Sequence, residues 1–232
     1  MSHLIISTGN EEVDRQISGG LPFPSLLLIE GEHGTGKTSL SGLFIDGLLK
    51  GKKNVLLITE STIRSYLANM KSITFNFTFS FLQNKLTILP LQVYGMQWSK
   101  NNSKMILPVI QRYMTVNSPK NDCIVIDSMS LLLTGADDSS ILEFFTLCKH
   151  LVNDGHTVIL TLHPDSLNSD ISLRIKAACD GYMKLGSTTV AGKEVKTMNV
   201  VKLLGTEQQI TNRFSYEVDP NFGIKIVPLS AA

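Results

Sequence analysis

The sequence predicts an α/β protein with a mostly parallel central sheet, helices on both faces and antiparallel hairpins at its C-terminal end. Three observations carry that prediction. Short, continuously apolar runs alternate with longer amphipathic ones, the pattern of strands buried on both sides and separated by helices. A glycine-rich loop lies between the first such run and the first long helix. Beyond Asp180 the pattern changes to alternation with turn signals, which marks hairpins.

The elements follow in order. Ser25–Gly31 (SLLLIEG) reads as a buried strand, and Lys37–Lys50 as a helix with Leu40, Leu43, Phe44 and Leu48 on one face. Asn54–Glu60 (NVLLITE) is a second buried strand, followed by a helix over Arg64–Met70. Asn69–Gln83 is aromatic-rich and period-2 in places. It suggests an edge strand packed on the sheet, with a partner-binding surface as the alternative. Leu86–Leu91 is a third strand and Met105–Thr115 is helical. Cys123–Ser128 (CIVIDS) is a fourth buried strand, a helix covers about Ser140–Asn153, Thr157–His163 is a fifth strand, and Ser172–Cys179 is a short helix. In the tail, turns are predicted at Ala191-Gly192 and Asp219-Pro220-Asn221.

Composition narrows the function classes. The 232 residues suit one α/β domain spanning residues 1–232, and 43% hydrophobic content allows a sizeable core. Lys and Arg number 21 against 20 Asp and Glu, for a net charge of +1. That balance gives no drive toward nucleic acid or an anionic membrane surface. The cysteines, Cys123, Cys148 and Cys179, are widely spaced and match no metal-binding pattern, so they read as reduced thiols of a cytoplasmic protein. No apolar run reaches the ~18 residues that a membrane span needs, and the N-terminal stretch turns acidic too early for a signal peptide.

The chemistry is concentrated in Gly31-Glu32-His33-Gly34-Thr35-Gly36-Lys37-Thr38, a full match to GxxxxGK[ST] with a strand before it and a helix after it. Gly34 and Gly36 let backbone N–H groups face phosphates, and the helix start adds its positive end. His33 to Ser39 are therefore the expected phosphate contacts. Lys37 is expected to reach the β- and γ-phosphates of ATP, and the Thr38 hydroxyl to ligate Mg²⁺. Asp127 ends a buried strand, where a second metal-binding carboxylate belongs. Glu60 ends another strand at the same sheet edge. It is the candidate base for orienting water, the alternative being a charge at the N-terminus of the next helix. His163 ends the fifth strand, either as a γ-phosphate sensor or as a strand-end residue.

The segment Ile6–Leu40 (ISTGNEEVDRQISGGLPFPSLLLIEGEHGTGKTSL) resembles the opening of KaiC-type, RecA-like P-loop ATPases, and Val200–Leu229 is similar to their C-terminal segment. The resemblance covers most of the chain in one copy. Within the family, the whole is most similar to the accessory ATP-binding proteins of the archaellum, the archaeal flagellum. It implies a RecA-like/KaiC-like fold and ATP with Mg²⁺ as cofactors. It also implies a homo-oligomeric ring at the cytosolic face of the motor, working with the motor ATPase FlaI and a membrane-anchored scaffold ring.

Two departures from the family pattern bear on activity. Where the family carries paired glutamates after the second strand, this chain has Glu60-Ser61. Where the family offers a Lys-x-Arg pair to the neighbouring subunit's nucleotide, it has Lys202-Leu203-Leu204. An arginine finger can supply several powers of ten in rate. The expectation is thus a protein that binds ATP but hydrolyses it weakly or not at all, its nucleotide state controlling assembly. The alternatives are an active RecA/KaiC-like ATPase acting on DNA, or one that signals by autophosphorylation.

Overall fold

The computed structural model describes residues 4–91, 100–190, 192–206 and 213–227. The first of these segments opens with β1 (Leu4–Ile6), α1 (Glu11–Gln16) and β2 (Leu21–Phe23), and β1 pairs antiparallel with β2 as a small separate sheet. Asp14 ties this segment together. Its carboxylate accepts from Ser7 Oγ at 2.6 Å and from the Thr8 amide and hydroxyl at 2.9 and 2.7 Å. Gly47 lets the segment lie against the helix behind it, because a Cβ there would stand 2.4 Å from the Ser7 carbonyl oxygen. The polar residues of the STG…D stretch thus build a turn and dock it.

The main sheet follows the alternation read from the sequence. Its parallel strands are β3 (Leu26–Glu30), β4 (Val55–Thr59), β5 (Leu86–Pro90), β6 (Cys123–Asp127) and β7 (Thr157–Leu162). The tail supplies β8 (Gly181–Val190), β9 (Lys193–Leu203), β10 (Arg213–Asp219) and β11 (Gly223–Val227). Among the described residues the strand order is β11-β10-β9-β8-β3-β7-β6-β4-β5, with β8 parallel to β3 and antiparallel pairing from β8 outward. The predicted hairpins are therefore a continuation of the central sheet. In the turn before β11, Asp219 Oδ1 accepts from the amides of Asn221 and Phe222 at 2.7 and 3.1 Å. Of the predicted Ala191-Gly192 turn, Ala191 lies outside the described residues.

Successive strand residues point to opposite faces, and the helices divide accordingly. Leu27, Ile29, Leu57, Val125 and Ile159 share one core with Leu40, Leu43 and Phe44 of α2 (Lys37–Lys50). Leu28, Ile58, Ile126 and Leu160 share the other with α5 (Lys100–Asn117) and α7 (Asp138–Asn153), through Leu107, Met114 and Phe144. The remaining helices are α3 (Ile63–Lys71), α4 (Thr78–Leu82), α6 (Ser130–Leu133) and α8 (Ser169–Ala178). All three cysteines are buried and unpaired.

Asn69–Gln83 is not an edge strand. α3 runs into it as far as Lys71, and α4 occupies its end. Between them Phe75 and Phe77 are buried, with stacked rings 6.1 Å apart. The sheet edge on this side is β5, so the aromatic segment packs on the α2 face instead of extending the sheet. Its period-2 pattern arises from a turn in which Asn76 Oδ1 caps the Thr78 amide at 3.3 Å.

Candidate functional site

Parallel strands in register bring their carboxyl ends to one edge. Here Ile29 of β3 faces Thr161 of β7, and Thr59 of β4 faces Asp127 of β6. Ile29 belongs to the core on the α2 side, so Thr161 and Asp127 stand on that face too. Their side chains meet: Thr161 Oγ1 donates to Asp127 Oδ1 at 2.6 Å. The Thr38 hydroxyl, in the first turn of α2, lies near enough to the Asp127 carboxylate to favour its charged form.

The loop from Gly31 to Gly36 joins β3 to α2. Gly36 caps α2 with φ +94°, a left-handed conformation that glycine adopts freely. It provides no side-chain acceptor, and the first turn of α2 contains no acidic residue. α1, α3, α7 and α8 each have a capping side chain that accepts from their first amides. The first amides of α2 lack such a cap and face the cleft, which suits an anion. Gly34 has φ +79°, and a Cβ there would meet nothing within 4 Å. Lys37 folds back along the loop, its Nζ donating to the carbonyls of Gly31 and Glu32 at 2.6 and 2.8 Å.

A cleft of about 910 Å³ opens over this edge. Its lining includes His33, Gly34, Gly36, Lys37, Thr38 and Ser39 from the loop, with Glu60, Asp127 and His163 from the strand ends. Thr35 does not line the cleft. Its side chain is buried, and Oγ1 donates to the Glu32 carbonyl at 2.8 Å, bracing the loop from within. Every other residue expected at the site is in the cleft wall.

Burial sets the charges. It pushes the Asp127 carboxyl above its ordinary value, against the opposing pull of the Thr161 and Thr38 hydroxyls, while nearby Glu60 pushes further up and Lys37 pulls down. Burial lowers Lys37, and Asp127 and Glu60 offset part of that. Glu60 is half-buried, and Ser128 Oγ donates to its Oε1 at 2.8 Å. The His33 and His163 rings lie 4.8 Å apart at the cleft wall.

The donor set fits a magnesium–phosphate group. Mg²⁺ takes hard oxygen ligands, commonly a hydroxyl and one or two carboxylates completed by phosphate and water. Thr38 and Asp127 are such donors, already adjacent and oriented by Thr161.

Sequence reasoning missed several residues of this site. Tyr216 of β10 is buried, and its hydroxyl donates to the Thr35 carbonyl at 2.6 Å. Lys196 of β9 donates to the Gly34 carbonyl. Lys196, Ser128 and Val218 line the cleft. Only Thr161 had a signal available, as the polar residue inside an otherwise apolar strand.

Comparison with known proteins adds the following. Residues 6–231 match the family described as ATPase: KaiC. The archaeal flagellar ATP-binding protein FlaH of Sulfolobus acidocaldarius is 39% identical over 228 residues, covering 98% of each chain. The crystal structure of flagellar accessory protein FlaH from Methanocaldococcus jannaschii matches with a TM-score of 0.86 at 21% identity, over 97% of this chain and 99% of that one. That of a KaiC-like protein from Pyrococcus horikoshii matches with a TM-score of 0.76 at 22% identity, over 97% and 100%. The architecture is the KaiC-like RecA fold, with its mostly parallel sheet and C-terminal antiparallel strands.

Proposed function

This chain belongs to the KaiC family of ATPases, in the branch of the archaeal flagellar ATP-binding protein FlaH, and from that premise we propose that it is an ATP-binding, weakly hydrolysing regulator of the archaellum motor. One observation carries the binding half. The uncapped start of α2, the Lys37 ammonium group and the Thr38–Asp127 pair converge on one cleft. There the loop amides and Lys37 bind phosphates, and Thr38 and Asp127 would hold Mg²⁺, which supplies charge neutralisation between the phosphates.

The regulatory half rests on what accompanies the loop. Glu60 is followed by Ser61, so one of the family's two carboxylates is replaced by a hydroxyl. Leu204, in the position of the family's arginine, is half exposed just past β9, and the Lys202 ammonium group is held by the Ala177 carbonyl at 2.9 Å. Glu60 remains the residue to orient water. With the finger lost, turnover is slow, and ATP acts by favouring one of two conformations. Those conformations set assembly of a cytoplasmic homo-oligomeric ring, formed by this one domain, and its engagement of the motor ATPase FlaI and a membrane-anchored scaffold ring. Family likeness supports these partners. Among the described residues no helix is long and apolar enough to cross a membrane.

The test measures ATP affinity and steady-state turnover on the same protein with Mg²⁺, with Lys37→Ala as the blank. The expected result is binding that Lys37→Ala abolishes, with turnover far below the ~1–100 s⁻¹ usual for phosphoryl-transfer enzymes such as kinases. Turnover within that range, lost in the variant, would overturn the regulatory reading.

A further inference from the structure

The antiparallel extension of the sheet brings a second ammonium group to the phosphate loop. Lys196 of β9 and Tyr216 of β10 are cross-strand partners. They grip consecutive loop carbonyls: Lys196 Nζ donates to Gly34, and the Tyr216 hydroxyl to Thr35 at 2.6 Å. Val195 and Thr197, on either side of Lys196, are buried, so its strand is fixed and only the lysine stem is free to move. On its other side Lys196 is in register with Ser187 of β8.

The two lysines at the loop share an electrostatic condition. Lys37 gives its hydrogen bonds to the carbonyls of Gly31 and Glu32, and Lys196 gives its bond to that of Gly34. Neither forms a salt bridge among the described residues. A carbonyl oxygen carries only partial charge, so it holds an ammonium group in place without neutralising it. Both charges remain for an anion in the cleft that both residues line.

We propose that Lys196 is a phosphate-contacting residue supplied in cis by β9, exchanging the Gly34 carbonyl for the phosphate tail of the nucleotide and thereby discriminating ATP from ADP. The proposal rests on the ATP-binding reading above. It assigns to the extension a cation from within the chain, in a protein whose inter-subunit arginine position holds Leu204. It also gives the bound nucleotide a direct line to β9 and β10. A triphosphate that draws Lys196 away from Gly34 changes the grip of the extension on the loop, while Tyr216 keeps its own.

The discriminating quantity is the ratio of ATP to ADP affinity. ATP carries one more negative charge than ADP, so an ammonium group meeting the phosphate tail favours ATP. A side chain that only braces the loop serves both nucleotides alike. The experiment is calorimetric titration of the full chain with ATP and with ADP, for the unmodified protein and for Lys196→Ala, Lys196→Arg, Tyr216→Phe and Lys37→Ala. Thermal melts establish that each variant is folded. Lys196→Ala is expected to lower the ATP/ADP affinity ratio about tenfold, Lys196→Arg to restore most of it, and Tyr216→Phe to leave it unchanged. An unchanged ratio in Lys196→Ala, whether both affinities fall together or neither falls, overturns the proposal. Failure of the unmodified protein to bind ATP, or undiminished binding by Lys37→Ala, instead overturns the ATP-binding reading on which it rests.

Discussion

Ser128 Oγ donates to Glu60 Oε1 at 2.8 Å, so the carboxylate following β4 is held by the residue that follows Asp127 on the neighbouring strand. One carboxylate oxygen is thereby fixed, and the half-buried group is oriented at the cleft wall. Glu60→Gln keeps an acceptor for Ser128 but removes the proposed base. It is expected to lower the ATPase rate about 10²–10⁴-fold with ATP affinity unchanged. Single-turnover hydrolysis and equilibrium titration check the two halves, and unaltered hydrolysis removes Glu60 from the chemistry.

Asp127 sets stability against binding. Burial raises its carboxyl above the ordinary value of 3.8, so the fold favours the protonated form. Between 3.8 and that raised value the folded protein holds more proton than the unfolded chain. Stability therefore increases as pH falls through this window, and the ionised group costs stability above it. Asp127→Asn is expected to raise Tm at pH 7, by about 2–4 °C per kcal/mol relieved, and to abolish the Mg²⁺ dependence of ATP binding. In the unmodified protein, acid should weaken Mg²⁺-dependent binding at a higher pH than an ordinary aspartate would. Melting curves and titrations from pH 4 to 8 test both, and a lower Tm in the variant contradicts the assignment.

Gly36→Ala places a methyl group at φ +94°, with the new Cβ 3.3 Å from Tyr216 Oη and 3.6 Å from Val218 Cγ2. The left-handed conformation alone costs about 1–2 kcal/mol. The variant is expected to unfold at lower urea, and to bind ATP more weakly because a loop that relaxes out of the left-handed conformation must regain it on binding. Unchanged affinity would show that β10 does not constrain the loop.

Leu204→Arg restores the family's arginine at a half-exposed position just past β9. Turnover is expected to rise more than tenfold, with the rise growing with protein concentration, because in the proposed ring the finger would act on the neighbouring copy's nucleotide. The check is turnover across a dilution series. A flat series, or a rise already present at the lowest concentration, rules out catalysis in trans.

Local features were legible in the sequence. β3, β4 and β6 read as apolar runs up to their last residue, and β7 as one interrupted by Thr161, because each is covered on both faces. The placement of the GxxxxGKT loop, Asp127 and Glu60 at one cleft was legible because a fixed spacing, or the end of such a run, defines each. The polar start of α5 hid its first turn, and β1 and β2, at three residues each, are too short for a periodicity to register. The aromatic alternation around Phe75 and Phe77 imitates a strand, and only β5 at the sheet edge shows that no place was left for one. Lys196 and Tyr216 were invisible for a different reason. They lie 162 and 181 residues from the carbonyls they bind, and topology alone brings them there.

The strand that carries the phosphate loop is flanked by β7 and β8, not by its neighbours in the chain. On a ribosome adding about 5–20 residues per second, the loop emerges early and waits. Its first flanking strand begins at Thr157, and the pairing with β8 extends to Lys184. A nascent chain released before that point carries the whole GxxxxGKT motif on a strand with one side unpaired. Until the last third of synthesis is under way, the strand that leads into this loop has neither of its final neighbours beside it.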